Sequence, residues 1–185
     1  MDRQPVLEGD RLTLRPLRAD DWNALYAVAS DPQIWAVHPA HDRWQEPVFR
    51  AFFDDALASG SAFAIVDRAT GAVIGSSRYS DADVDGPDEI EIGWSFLARS
   101  YWGGGWNAEF KRLMLAHALK RYHRAIFQVG IDNAISRKAM ANIGGVLTER
   151  TRSFERGGKM VEHVIYAITR EDFATGPLAN VSLTL

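Results

Sequence analysis

A chain of 185 residues, 46% hydrophobic and 24% charged, is apolar enough for one ordinary globular core and too interrupted by charge for a membrane span. The absence of cysteine excludes disulfides and thiolate catalysis, and a net charge of -3 supplies no basic field for a phosphate backbone, so nucleic acid is not expected as a direct partner. No apolar stretch follows a basic start, which argues against a secretory leader, and neither a membrane association nor a location outside the cytoplasm is expected.

In chain order, residues 11–18 alternate Leu12, Leu14 and Leu17 with polar residues and break at Pro16, which predicts a strand near the sheet edge. Asp20 is placed to cap a helix over 21–30, where Trp22, Leu25, Tyr26 and Ala29 recur at helical spacing until Asp31-Pro32 stops it. A second helix is expected over 46–58, after an unpatterned aromatic loop holding Trp35, His38, Pro39, His41 and Trp44. Residues 63–67 and 72–78 read as strands joined across Gly71. The next strand puts Glu89, Glu91, Gly93 and Ser95 on one face and Ile90, Ile92, Trp94 and Phe96 on the other. The period then becomes helical over 106–122, with Phe110, Met114, Ala118 and Tyr122 in a stripe and a Glu109–Arg112 pair outside it. A strand over 125–131, a helix over 134–143 closed by Gly144-Gly145, and a long hairpin, 146–156 and 159–169, turning at Gly157-Gly158, complete the pattern. No linker or repeat interrupts it, so a single domain over 1–185 is expected, with its core over about 11–169 and fraying from Thr175.

Three glycines, Gly103, Gly104 and Gly105, stand between the strand ending near Leu97 and the helix beginning at Trp106. Glycines there let the backbone approach a ligand, and the free amides of the helix's first turn favour an anion such as a pyrophosphate. A P-loop lysine is missing, as is a dinucleotide fingerprint, and a plain strand-to-helix turn would use the same residues.

Together with Glu91-Ile92-Gly93-Trp94 and Asn133-Ala134-Ile135-Ser136, this loop resembles the GNAT acyltransferases, in particular the branch of the ribosomal-protein N-terminal acetyltransferases. The resemblance runs from Arg11 to about Thr169 and implies an α/β (α+β) GNAT fold, with a mostly antiparallel mixed sheet of about six to seven strands and about four helices. It implies acetyl-CoA as co-substrate, held through the family's Gln/Arg-x-x-Gly-x-Gly/Ala motif, here residues 102–107 with Trp102 and Asn107 as departures. The cofactor-binding set is then Phe96, Trp102, Gly103, Gly104, Gly105, Trp106, Asn107, Ala108, Asn133 and Arg137, with the pantetheine arm between strands parted near Phe96 and Val129. Asn133 also suits a helix N-cap, and the two roles are compatible. Arg137 and Lys138 could meet CoA phosphates or simply be solvated.

Acyl transfer to an amine needs a base, because an amine of pKa ~10 is mostly charged at neutral pH. Glu91 stands where the family often places that base; Glu89 shares its face, and the two carboxylates are expected to raise each other's pKa. A solvated outer strand face is the plain alternative. Many relatives use a tyrosine as proton donor where this chain has Met140, which leaves Ser136 as the candidate acid, and a backbone amide near Trp94 would steady the oxyanion. For the acceptor, the acidic run Asp81, Asp83, Asp85, Asp88, Glu89 and Glu91 suits a cation, whereas Arg150, Arg152 and Arg156 suit an acid. The expected partner is an amine acceptor, a protein N-terminus or a small molecule, and a homodimer is compatible with the pattern. A non-catalytic acyl-CoA sensor and a nucleotide-binding domain are the competing readings, and the five histidines show no metal-ligand spacing, so no metal is expected.

Overall fold

The computed structural model describes residues 1–156 and 158–179. Its strands are β1 (Leu7–Glu8), β2 (Leu12–Pro16), β3 (Ala62–Asp67), β4 (Val73–Ser80), β5 (Glu89–Leu97), β6 (Arg124–Gly130), β7 (Val146–Arg156) and β8 (Lys159–Thr169). Its helices are α1 (Trp22–Ala29), α2 (Glu46–Ala58), α3 (Trp106–Ala118), α4 (Ala134–Asn142) and α5 (Arg170–Thr175). The strands form one sheet in the order β1-β2-β3-β4-β5-β6-β8-β7, antiparallel throughout except between β5 and β6.

The expected fold is present, with two short additions. β1 is two residues long and has no period to read, while α5 rests on a capping box in which Thr169 and Asp172 exchange side-chain and backbone bonds. Two local expectations change. The side chain of Asp20 caps nothing; Asp21 instead accepts from Arg15 and the Arg18 amide. Glu109 does not pair with Arg112 but takes the guanidinium of Arg11 at 2.8 Å and the amides of Arg11 and Leu12, tying α3 to β2. The hairpin strands fall where expected; of the turn, Gly158 has φ 77° and Gly157 lies outside the described residues.

The core has two large parts and a small third cluster of Ile126, Ile165 and Ala167. Leu12, Leu14, Phe63, Ile65, Ile90, Ile92, Phe110 and Met114 join the sheet to α3, while Leu25, Ala29, Trp35, Phe49, Phe53 and Phe96 join it to α1 and α2. Each such side chain contributes about 1.5–3 kcal/mol when fully buried. The two layers cover both faces of the central strands, so the half-solvated β5 expected from alternation does not occur: Glu89 and Glu91 are both buried.

Candidate active site

β5 carries one extra residue relative to β4. Ser76 pairs with Phe96 and Arg78 with Gly93, so Trp94 and Ser95 together face Ser77, and Trp94 takes a left-handed φ of 53°. Ser77 and Ser95 bridge this bulge through their hydroxyls at 2.8 Å, and Lys111 of α3 donates to Ser95 Oγ at 2.7 Å. On its other edge β5 pairs with β6 only at Glu89, Ile90 and Glu91, although both strands run on. Beyond Glu91 the two parallel strands therefore separate. A cleft follows, its walls being strand edges whose amides and carbonyls lack a neighbouring strand.

Three cavities fill this cleft in sequence and share lining residues. The first, about 210 Å3, lies between Phe96, Trp102, Gly103, Asn107, Asn133 and Ser136. The second, about 140 Å3, passes between the strands beside Gly93, Ser95, Lys111, Val129 and Met140. The third, about 280 Å3, opens on the far side around Arg43, Asp83, Glu91, Trp94, Gln128 and His163. His38 lines all three. The aromatic segment that holds it both packs on the sheet and reaches the cleft: Trp35 packs on Phe96, and His38 and Arg43 line the third cavity, while Pro39 seats against Gly130, where any Cβ would meet the proline ring at 2.5 Å.

The glycine loop borders the first cavity. Gly103, Gly104 and Gly105 all have left-handed φ, 78°, 58° and 83°, a path other residues take only under strain. Arg11 holds it open from outside, donating to the Gly104 carbonyl at 2.8 Å and lying over the Trp106 ring at 4.4 Å. Gly105 is the N-cap of α3 and offers no side chain, and no acceptor among the described residues takes the amides of 103–108. Gly103, Gly104 and Gly105 are exposed. Adjacent free amides at the positive end of a helix fit a diphosphate.

Of the other residues expected near the donor, Asn133 is buried and lines the first two cavities, and its side chain also caps α4 by accepting from the Ser136 amide at 3.1 Å. Ser136 lines the same two cavities. Tyrosine hydroxyls are engaged elsewhere: Tyr101 with Asp67, Tyr79 with the Met114 carbonyl, and Tyr166 with Arg137. Arg137 is not brought to the cleft; it donates to the Ile131 carbonyl and the Tyr166 hydroxyl. Trp102 donates its indole N–H to the Leu97 carbonyl and is exposed, while Trp106 and Ala108 line none of the three cavities and the Trp106 ring packs between Tyr101 and Arg11.

The two carboxylates separate in character. Burial pushes Glu89 up, but two hydrogen bonds from Arg150, the Asp85 amide and nearby Arg124 more than offset it and hold the carboxyl below the usual range. Glu91 has no such partner. Burial raises its pKa to about 7, with the charge of Asp83 adding to the effect and a hydrogen bond from Gln128 Nε2 at 3.1 Å opposing it. The expected mutual elevation by Glu89 is thus replaced by burial and Asp83, since an arginine neutralises Glu89. Across the cleft, burial pushes the Lys111 amine down to about 7, with Glu91 acting against the shift. Lys111, Gln128 and Arg43 are cleft residues that the sequence did not single out, whereas His38 belongs to the aromatic loop it did.

With this geometry in place, the comparisons agree on its class. The acetyltransferase (GNAT) domain family matches residues 11–146, and the chain belongs to that family, whose donor is acetyl-CoA. An N-acetyltransferase termed p20 from Bacillus licheniformis, itself uncharacterized, is 24% identical over 177 residues, 91% of this chain and 98% of that one. A GCN5-related N-acetyltransferase from Brucella melitensis superposes with a TM-score of 0.80 at 21% identity, covering 95% of this chain and 82% of its own. RimJ of Mycobacterium smegmatis, solved in complex with CoA-disulfide, gives 0.69 at 21% identity, covering 90% and 86%. Among the described residues no helix is long and apolar enough to cross a membrane, and no group of three metal-ligating side chains forms.

Proposed function

We propose that the protein is an N-acetyltransferase that moves the acetyl group of acetyl-CoA directly to a primary amine, with Glu91 as base and Ser136 as acid. The observation that carries this reading is the continuity of the cleft: a diphosphate cradle of free amides at one end, a buried carboxyl with a pKa of about 7 at the other, and parted strands between them. The pantetheine arm would lie along the free edges of β5 and β6, with Asn133 beside it. Glu91, directly or through water, accepts a proton from the incoming amine as nitrogen bonds to the thioester carbon. An amide of the 94–95 bulge would face the oxygen that gains charge, the carbon–sulfur bond breaks, and the Ser136 hydroxyl passes a proton to the departing thiolate while taking one from water. The products are an N-acetyl amide and CoA, with no covalent enzyme intermediate.

Kinship with the ribosomal-protein branch is supported by the Asn133-to-Ser136 run and by the likeness to RimJ, and belongs to the same proposal. The test pairs a thermal shift with acetyl-CoA and a thiol-release assay across amines. Stabilisation by CoA with amine-dependent thiol release supports the reading. Stabilisation without release by any amine would favour an acyl-CoA sensor instead.

A further inference from the structure

The acidic run and the hairpin arginines, which in sequence pointed to opposite substrates, largely cancel in the fold. Asp81 pairs with Arg3, Asp85 with Arg150 and Arg152, Asp88 with Arg121, and Glu89 with Arg150 and Arg124. Two members of the run are left without an arginine among the described residues, Asp83 and Glu91, and both line the third cavity. Opposite in sign, and lining that same cavity, is Arg43. It is half-buried, its guanidinium lies over the rings of Phe52 at 4.4 Å and Trp35 at 5.1 Å, and no carboxylate or carbonyl bonds it among the described residues. The charges acting on it are those of Arg156 and Arg78 and, opposing them, that of Asp42; Asp42 is bonded to Arg156 at 2.7 Å and Arg78 to Asp55. A guanidinium fixed between aromatic faces and crowded by like charge lacks an anion.

From this arrangement we infer that the acceptor is a compact amine that also carries an anionic group, and that Arg43 binds that group while Asp83 and Glu91 face the amine. The inference rests on the third cavity being the acceptor side. At about 280 Å3 the cavity has room for a small acceptor. Gln128 Oε1 and His163 Nδ1, both buried and without a hydrogen-bond partner among the described residues, belong to residues that also line it, and a polar acceptor would supply those bonds. A protein N-terminus offers the amine but carries its backbone onward as a neutral amide, whose carbonyl can accept from Arg43 but brings no negative charge to it. A guanidinium recognises planar oxyanions through paired N–H donors, so a carboxylate fits best, and a phosphonate shares the chemistry.

The experiment is a thiol-release assay on the full chain with acetyl-CoA and matched acceptors. These are free amino acids against their carboxamides, aminoalkylphosphonates against neutral alkylamines of equal length, and short peptides as N-terminus probes. The expected result is a kcat/KM at least tenfold higher for the acids than for their carboxamides, carried by KM and reduced to near parity in Arg43→Gln, with Arg43→Lys retaining part of the preference. Thermal shift by acetyl-CoA shows that both variants hold the donor. Equal use of acids and carboxamides, preference for peptides, or a preference that survives Arg43→Gln overturns the inference and leaves acetyl transfer standing. Thiol release with none of the acceptors overturns both.

Discussion

The two ends of the cleft are built from different materials. At the donor end the chemistry is main chain: left-handed glycines and free amides, held by Arg11 from behind. At the acceptor end it is side chain: a protonatable carboxyl, a guanidinium and two buried polar atoms without partners among the described residues, drawn from four separate segments. Main-chain recognition depends on backbone path and tolerates departures such as Trp102 and Asn107. Side-chain recognition depends on tertiary placement and so can be retuned for different amines.

Mutation separates these ends, and the largest effect is expected at the acceptor end. Glu91→Gln removes the proton acceptor and should lower kcat/KM at pH 7.5 by about 10²–10⁴-fold while leaving the acetyl-CoA thermal shift intact. It should also stabilise the apo protein. The folded-state pKa of Glu91 is raised from 4.5 to about 7, so the native state holds its proton more tightly than the unfolded chain, and stability falls as pH rises between those values. The wild type therefore loses about 3 kcal/mol through that window, a loss that denaturant titrations should find missing in the variant.

Next comes Ser136→Ala, expected to cut kcat toward the lower end of the ~10²–10⁴-fold range for a lost proton donor, because water can enter in its place, with both KM values little changed. At the donor end, Gly105→Val forces a side chain into φ 83° beside Arg11 at a cost of about 1–3 kcal/mol. It should raise the KM for acetyl-CoA while sparing the acceptor's, the converse of Arg43→Gln. Smallest in its effect on rate is Lys111→Met, which removes a buried amine and should stabilise the fold by about 1–3 kcal/mol. Loss of its bond to Ser95 loosens the bulge, so kcat should fall only modestly.

How much of each end could be read in the sequence follows from the same contrast. The glycine loop is contiguous, and a backbone that must turn left-handed three times leaves a local mark. The strand and helix order was legible for a similar reason, since alternation and helical stripes are local, and only β1 and α5 were too short to show. Glu91 was legible by position on its strand, but the cause of its shift was not, because whether Glu89 repels it depends on Arg150, sixty residues away. Arg43, Gln128 and Lys111 belong to a loop, a strand and a helix that meet only in the fold, and each looks ordinary in its own segment. Lys111 carries the one retrospective signal, a lysine directly after Phe110 on the helix face that packs into the sheet.

The most direct test is the pH dependence of kcat/KM for the acceptor, in the wild type and in Glu91→Gln. The wild type should show an inflection near pH 7, activity rising as the Glu91 carboxyl loses its proton, and the variant should lack it, leaving only the titration of the amine itself. An unchanged rate and inflection in Glu91→Gln would contradict the assignment of that carboxyl as the base.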